Sequence, residues 1–398
     1  MLDDCIILPI ECDGQDNALR IFNTLNDRGL ALDDSDIFKG RIYESKNNKD
    51  RKKFAKEWKE LENKIANSNY LKNENIGFLF TQYMHIIRAL HDEVDTVIPG
   101  TLAFFTKKDK TNSKGKKVNF GANEDLLTKK ETFLFIQELG EFWCNPKEYL
   151  SPQSQKYFDI LNIYQNKIWQ MVASVCFYTY KPEKINGNEK NIFDSIFPQL
   201  LSYCALGLIL GKGGSSGLFW GFMKANTLIK DKKIEKIFVP SVNIPELAMP
   251  KLEYFTDFCI KALPKHIRYL LVIYILIYDK NQKWEWNINN KNYSVIKGEI
   301  EHIFPKKWKE ANYNGWNEEE ADKFLEYIGN KILLEKKQNI QAGNGYFNHK
   351  KEKYLESNFL EAKHLGNSTN TDWLKEDIEA RNEKIYNKLK NYIEENLR

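Results

Sequence analysis

An acid and a histidine stand side by side at Glu301-His302, inside the stretch Gly298-Glu-Ile-Glu-His-Ile-Phe-Pro305, and two asparagines follow at Asn330 and Asn339. These residue types suit the hydrolysis of a phosphodiester. A histidine titrates near neutrality and can take a proton from water. A carboxylate and an amide oxygen are hard donors, and a cation such as Mg²⁺ needs few of them because it keeps several of its own waters. An acid, a base, an amide that fixes a loop and a second oxygen ligand are the parts of a one-metal nuclease.

Local elements must bring these parts together. A strand ending at Glu301-His302 sends the two side chains to opposite faces, so one can hold metal while the other approaches the phosphate. Pro305 stops that strand, since it has no N–H for a ladder. Gly329-Asn330 reads as a turn in which the asparagine braces a loop through side-chain to backbone hydrogen bonds. Lys331–Leu334 is apolar enough for a second strand, and a helix or loop beyond it could return Asn339 to the metal.

The text Glu301-His302-Ile303-Phe304-Pro305, then Ile328-Gly329-Asn330-Lys331-Ile332-Leu333-Leu334, then Asn339 resembles the ββα-metal, or HNH, nucleases. It most closely resembles the carboxy-terminal nuclease domain of GmrSD-like modification-dependent (type IV) restriction endonucleases, with Phe347–Lys350, Tyr354, Trp373, Ile378 and Arg381 fitting the later pattern. The resemblance implies Glu301 and Asn339 as ligands of Mg²⁺ or Mn²⁺, His302 as the base and Asn330 as the brace that orients it. It makes Lys350 and Arg381 candidates for phosphate contact, Lys350 with a catalytic share. The ligand position at 339 is Asn, as in some branches of the family, where the name HNH implies His. Glu-His-Ile-x-Pro alone could arise as an ordinary strand with turn asparagines after it; joined to Gly-Asn-x-x-Leu-Leu and the spaced Asn339, that bland reading loses ground.

A second resemblance lies in Ala18–Lys39. Phe22, Leu25, Asn26, Arg28, Gly29, Leu32, Asp36 and Lys39 are similar to the last motif of the same family's nucleotide-hydrolysing domain, of ParB/sulfiredoxin-like fold. The family's upstream Gln-Arg motifs are absent, and Asp13-Gly14-Gln15 only echoes one of them. Asn26, Arg28 and Asp36 are therefore expected to be a remnant of a nucleotide site, with capping and turn chemistry as an equally good account. NTP hydrolysis by this chain alone is not expected. A partner protein carrying the missing half is, and the chain is expected to be a truncated or split form.

The whole sequence sets the frame. It has 398 residues, 42% hydrophobic and 13% aromatic, enough for more than one packed core. A net charge of +4 is no general coat for nucleic acid, so a DNA site must be a local patch. Six cysteines at 5, 12, 144, 176, 204 and 259 contain no CxxC pair and read as reduced thiols. The longest apolar runs, 269–278 and 200–210, fall short of the ~20 residues of a membrane span. A cytoplasmic location without membrane contact is expected.

The expected fold is mainly α with a small α+β part, a helical domain followed by a ββα-metal nuclease unit embedded in helices. Boundaries are placed at 1–45 (nucleotide-domain remnant), 46–249 (helical) and 250–398 (nuclease). A strand at 5–10 and a helix at 16–26 open the chain. Asp33 or Ser35 caps a helix through Tyr43, and helices follow at 50–66, 77–90, 132–143, 157–178, 192–210 and 218–229. The second of two helices after Pro250 spans 266–278, strand-like text covers 283–288 and 293–296, and helices recur near 318–327 and at 373–396. The basic run 107–122 reads as a flexible loop. Gly207-Leu-Ile-Leu-Gly-Lys-Gly-Gly-Ser lacks the spacing of a phosphate loop and reads as a helix end. The expected activity is a metal-dependent DNA endonuclease of phage defence and restriction, selective for modified DNA. The alternative is a non-catalytic helical subunit that binds DNA or protein within a defence complex.

Overall fold

The computed structural model describes residues 33–106, 110–111, 117–118, 124–185, 190–212, 215–242, 244–288, 291–309 and 316–398. The strand at 5–10, the helix at 16–26, and Asn26 and Arg28 lie outside the described residues. The chain divides into two compact units. One holds 33–84 and 99–144, the other 85–98 and 145–398.

The first unit is helical. Helix α1 spans Asp34–Glu44, and Asp33, not Ser35, caps it by accepting the Ser35 N–H at 2.8 Å. Helix α2, Asn48–Ala66, buries Phe54, Trp58, Leu61 and Ile65 on the single face their spacing predicts. Helices α3 (Ile76–Leu90), α4 (Thr101–Thr106) and α5 (Lys130–Cys144) follow. Within the basic run, Lys110–Thr111 (β1) and Lys117–Val118 (β2) pair antiparallel, and the rest of 107–122 lies outside the described residues.

The second unit contains the segment that carries the candidate site. Its helices are α6 (Pro152–Ile163), α7 (Trp169–Tyr180), α8 (Phe193–Ile209), α9 (Ser215–Lys230), α10 (Leu252–Lys261) and α11 (Pro264–Tyr278). One expected helix over 157–178 is in fact two. The chain turns extended at Tyr164, and the Asn166 side chain accepts the Ile168 N–H at 3.1 Å, a local bond that competes with the helix. Helix α8 ends at Ile209, and Gly211 takes φ +68°, a left-handed turn that glycine adopts without a Cβ penalty.

A hairpin of β3 (Glu285–Ile288) and β4 (Lys291–Ser294) precedes the site. Strand β5, Glu299–His302, then pairs antiparallel with β6, Lys331–Leu334, so that Glu301 faces Ile332 and His302 faces Lys331. Between them lies α12 (Glu318–Leu325), and after them come α13 (Lys336–Ala342), α14 (Phe347–Leu355), α15 (Leu360–Gly366) and α16 (Lys375–Leu397). The protein is mainly α with a small α+β part, and the site is built on the β5–β6 pair and the helix α13 that follows it. Helix α16 packs on α8, on α11 and on the single turn Ile328–Asn330. Gly329 allows that last contact: a Cβ there would lie 2.1 Å from the Ile378 carbonyl oxygen and 2.7 Å from the Asn382 nitrogen.

Candidate active site

Strand β5 delivers Glu301 and His302 to a cavity of about 490 Å³, whose wall also includes Asn339, Pro305, Lys306 and Lys331. Asn339 arrives on α13, one turn after β6. The turn Ile328–Asn330 places Asn330 inside the protein, fully buried. Its amide oxygen accepts the Phe304 N–H at 2.7 Å, and its Nδ2 donates to the Phe304 carbonyl at 3.0 Å and the Leu325 carbonyl at 3.2 Å. The Asn330 backbone carbonyl accepts from the Ile303 N–H at 2.9 Å. One residue thus holds both sides of the backbone that leaves His302.

His302 sits in a field that keeps it uncharged. Burial, reinforced by the cations of Lys331, Lys306 and Lys350, pushes its pKa down to about 3. Its Nε2 is buried and has no hydrogen-bond partner. The unclaimed nitrogen is the atom a general base would use, whereas a pKa this low makes that base a weak one.

Glu301 is buried, and burial pushes its carboxyl pKa up while Lys350 pulls against it. Lys350 lies on α14, and its Nζ donates to Glu301 Oε1 at 2.6 Å and to the His302 carbonyl at 2.6 Å. Burial lowers the Lys350 pKa in turn. The Tyr354 hydroxyl donates to the same Oε1 at 3.3 Å. Asn339 donates from Nδ2 to Glu299 Oε2 at 3.2 Å. A carboxylate can only accept, so this bond orients the amide and leaves its oxygen as the atom for another partner.

The other sequence candidates fall elsewhere. Lys350 and Arg381, singled out for phosphate contact, are both inside the protein. Lys350 is fully buried on Glu301, and Arg381 donates to Glu361 Oε1 and to three backbone carbonyls. Neither head group is open to a phosphate in this structure. Asp36 lies on the exposed side of α1, and Asn26 and Arg28 are outside the described residues. Among the described residues no group of three or more His, Cys, Asp or Glu converges as a metal site.

Sequence reasoning missed Glu299, Tyr354 and Glu361. Glu299 had a signal: two positions before Glu301 on a strand, it must share that residue's face. Tyr354 was noted only as part of a pattern. Nothing local pointed to Glu361.

Residues 251–388 match the family model for the C-terminal domain of GmrSD restriction endonucleases. The chain carries a GmrSD-like C-terminal domain. No curated protein matches the chain. The GmrSD-like segment contains every side chain of the 490 Å³ cavity and the Asn330 brace. Among the described residues no helix is long and apolar enough to cross a membrane.

Proposed function

We propose that this chain is a metal-dependent DNA endonuclease of HNH type, acting in restriction and phage defence, with modified DNA as its preferred substrate. The observation that carries the reading is the meeting of Glu301, an uncharged His302 and Asn339 in one cavity within the GmrSD-like domain. The donor set fits a hard cation. Glu301 supplies a carboxylate, and Asn339 has its amine tied to Glu299, which leaves its oxygen to coordinate. When bound, Mg²⁺ or Mn²⁺ would supply charge stabilisation for the scissile phosphate and the leaving oxygen.

The chain's own residues do the rest. His302 takes a proton from the attacking water through its free nitrogen. Asn330 fixes the Phe304 backbone and with it the position of that imidazole. Lys350 offsets the charge of Glu301 and ties the carboxylate to the His302 backbone, so the ligand and the base share one frame. Lys306 lines the cavity and favours a polyanion there, while Lys331 is paired with Glu326 at 2.6 Å.

Nicking of a supercoiled plasmid in Mg²⁺ or Mn²⁺, abolished by EDTA, tests the reading. Absence of cleavage of both modified and unmodified plasmid in either metal, by folded protein, overturns it.

A further inference from the structure

Arg381 makes more hydrogen bonds around the site than any phosphate contact would leave it free to make. Its Nη1 donates to the carbonyls of Ile328, Gly329 and Lys331 at 3.2, 2.8 and 2.9 Å. These three oxygens bracket Asn330. Its Nε and Nη2 donate to Glu361 Oε1 at 3.0 and 2.6 Å. The Arg381 and Glu361 side chains are both buried. A guanidinium is suited to this arrangement because its donors form a rigid planar fork, which an ammonium on a flexible stem does not reproduce.

We infer that Arg381 is a positioning residue of the candidate active site: it sets the 328–331 turn, and Asn330 in that turn sets the backbone that carries His302. Glu361 holds the guanidinium from behind, and Gly329 lets the turn approach α16 closely enough for Nη1 to reach it. The path runs Glu361, Arg381, turn, Asn330, Phe304, Ile303, His302, with a hydrogen bond or a peptide link at each step. Arg381 touches neither substrate nor metal in this scheme. The inference rests on the nuclease reading for its effect on rate, and on the geometry alone for its effect on His302.

Removing the guanidinium by itself would leave Glu361 as a buried unpaired carboxylate, a change that unfolds many proteins. Two variants avoid this, Arg381→Lys, which keeps the charge, and the double change R381Q/E361Q, which removes both charges together. Each is measured, once its folded state is shown by circular dichroism, for plasmid nicking, for DNA binding as a function of salt, and by NMR of ¹³Cε1-labelled histidine, with the His302 signal assigned from His302→Ala. Positioning predicts a ten- to hundredfold fall in kcat with KM and the salt slope unchanged, and a displaced or broadened His302 signal.

A salt slope reduced by about one would instead make Arg381 a phosphate contact and overturn the inference. An unmoved His302 signal in both folded variants would overturn it too, whatever the rate. Should the parent protein cleave nothing, the nuclease reading fails while the His302 signal still decides the positioning role.

Discussion

Phe38, Phe54, Trp58, Phe80, Phe105 and Phe133 fill the interior of the unit formed by 33–84 and 99–144, whereas Glu301, Lys331, Lys350, Glu361 and Arg381 lie buried in the other. In the first, Phe38 and Phe80 meet at 4.7 Å between ring centroids, Phe54 and Phe133 at 4.9 Å, and Trp58 stacks on Phe133 at 5.8 Å. Its buried polar groups among the described residues are uncharged: Ser35, Ser68, Gln82 and Thr132. Ring contacts stabilise through buried area and edge-to-face attraction, and any of several packings would serve. A buried ion pair is different. Its attraction barely repays the desolvation of both charges, so it adds little stability, but it demands one geometry. The contrast between an interior that only has to be full and one that has to be in register is the physical mark of the candidate site.

The largest effect should come from breaking the site's chemistry without touching either interior. His302→Ala is expected to lower nicking about 10²–10⁴-fold while DNA binding and the melting temperature hold. Near-parental nicking by a preparation free of contaminating nuclease would remove the base assignment and with it the contrast.

Next is the ion pair. Lys350→Met leaves Glu301 buried without its cation and should cost about 3–5 kcal/mol in urea unfolding. Adding Glu301→Gln to the same protein should restore most of that loss, because the uncompensated charge is gone. If the single change is silent, Glu301 is not held as a buried carboxylate and the register argument weakens.

A smaller, pH-linked effect sharpens the point for a buried neutral base outside the candidate site. His85 is buried with Nδ1 unpartnered, and burial, aided by Arg88, pushes its pKa from 6.5 to about 3. Between those values the unfolded chain binds a proton that the folded chain refuses. Stability contributed by the neutral ring is therefore full above pH 6.5 and is lost as pH falls toward 3, with a slope of up to ~1.4 kcal/mol per pH unit. Urea midpoints of His85→Gln and the parent, compared at neutral and acid pH, should show a shallower fall in the variant. Parallel curves would mean that His85 takes up its proton in the folded state.

The smallest change belongs to the aromatic unit. Asp33→Ala removes the cap of α1, and with it the 2.8 Å bonds from the Ser35 N–H and the Asn75 amine, for about 1 kcal/mol. Nicking should not change. A loss of activity larger than the loss of stability would show that the first unit also needs exact placement.

What could be read from the sequence was whatever depends on neighbours a few positions away. The 3- and 4-residue spacing of Phe54, Trp58, Leu61 and Ile65 declared the buried face of α2, because a helix brings those positions together whatever surrounds it. Asp33 could be picked as a cap candidate, Lys331–Leu334 announced a strand by its apolar content, and Pro305 marked where the strand through Glu301-His302 must stop. The same local view failed at Asn166, where a side-chain bond split a helix that hydrophobic content alone would have continued.

The destinations of the charged side chains were decided only by the tertiary structure. Lys350 reaches Glu301 across 49 positions, and Arg381 reaches the Gly329 carbonyl across 52. The sequence alone presented both as cations free to meet a phosphate. No local period encodes such pairings. Whether a lysine ends in water or on a carboxylate depends on which distant segments the folded core presses together, and on whether an acceptor is there to offset its burial.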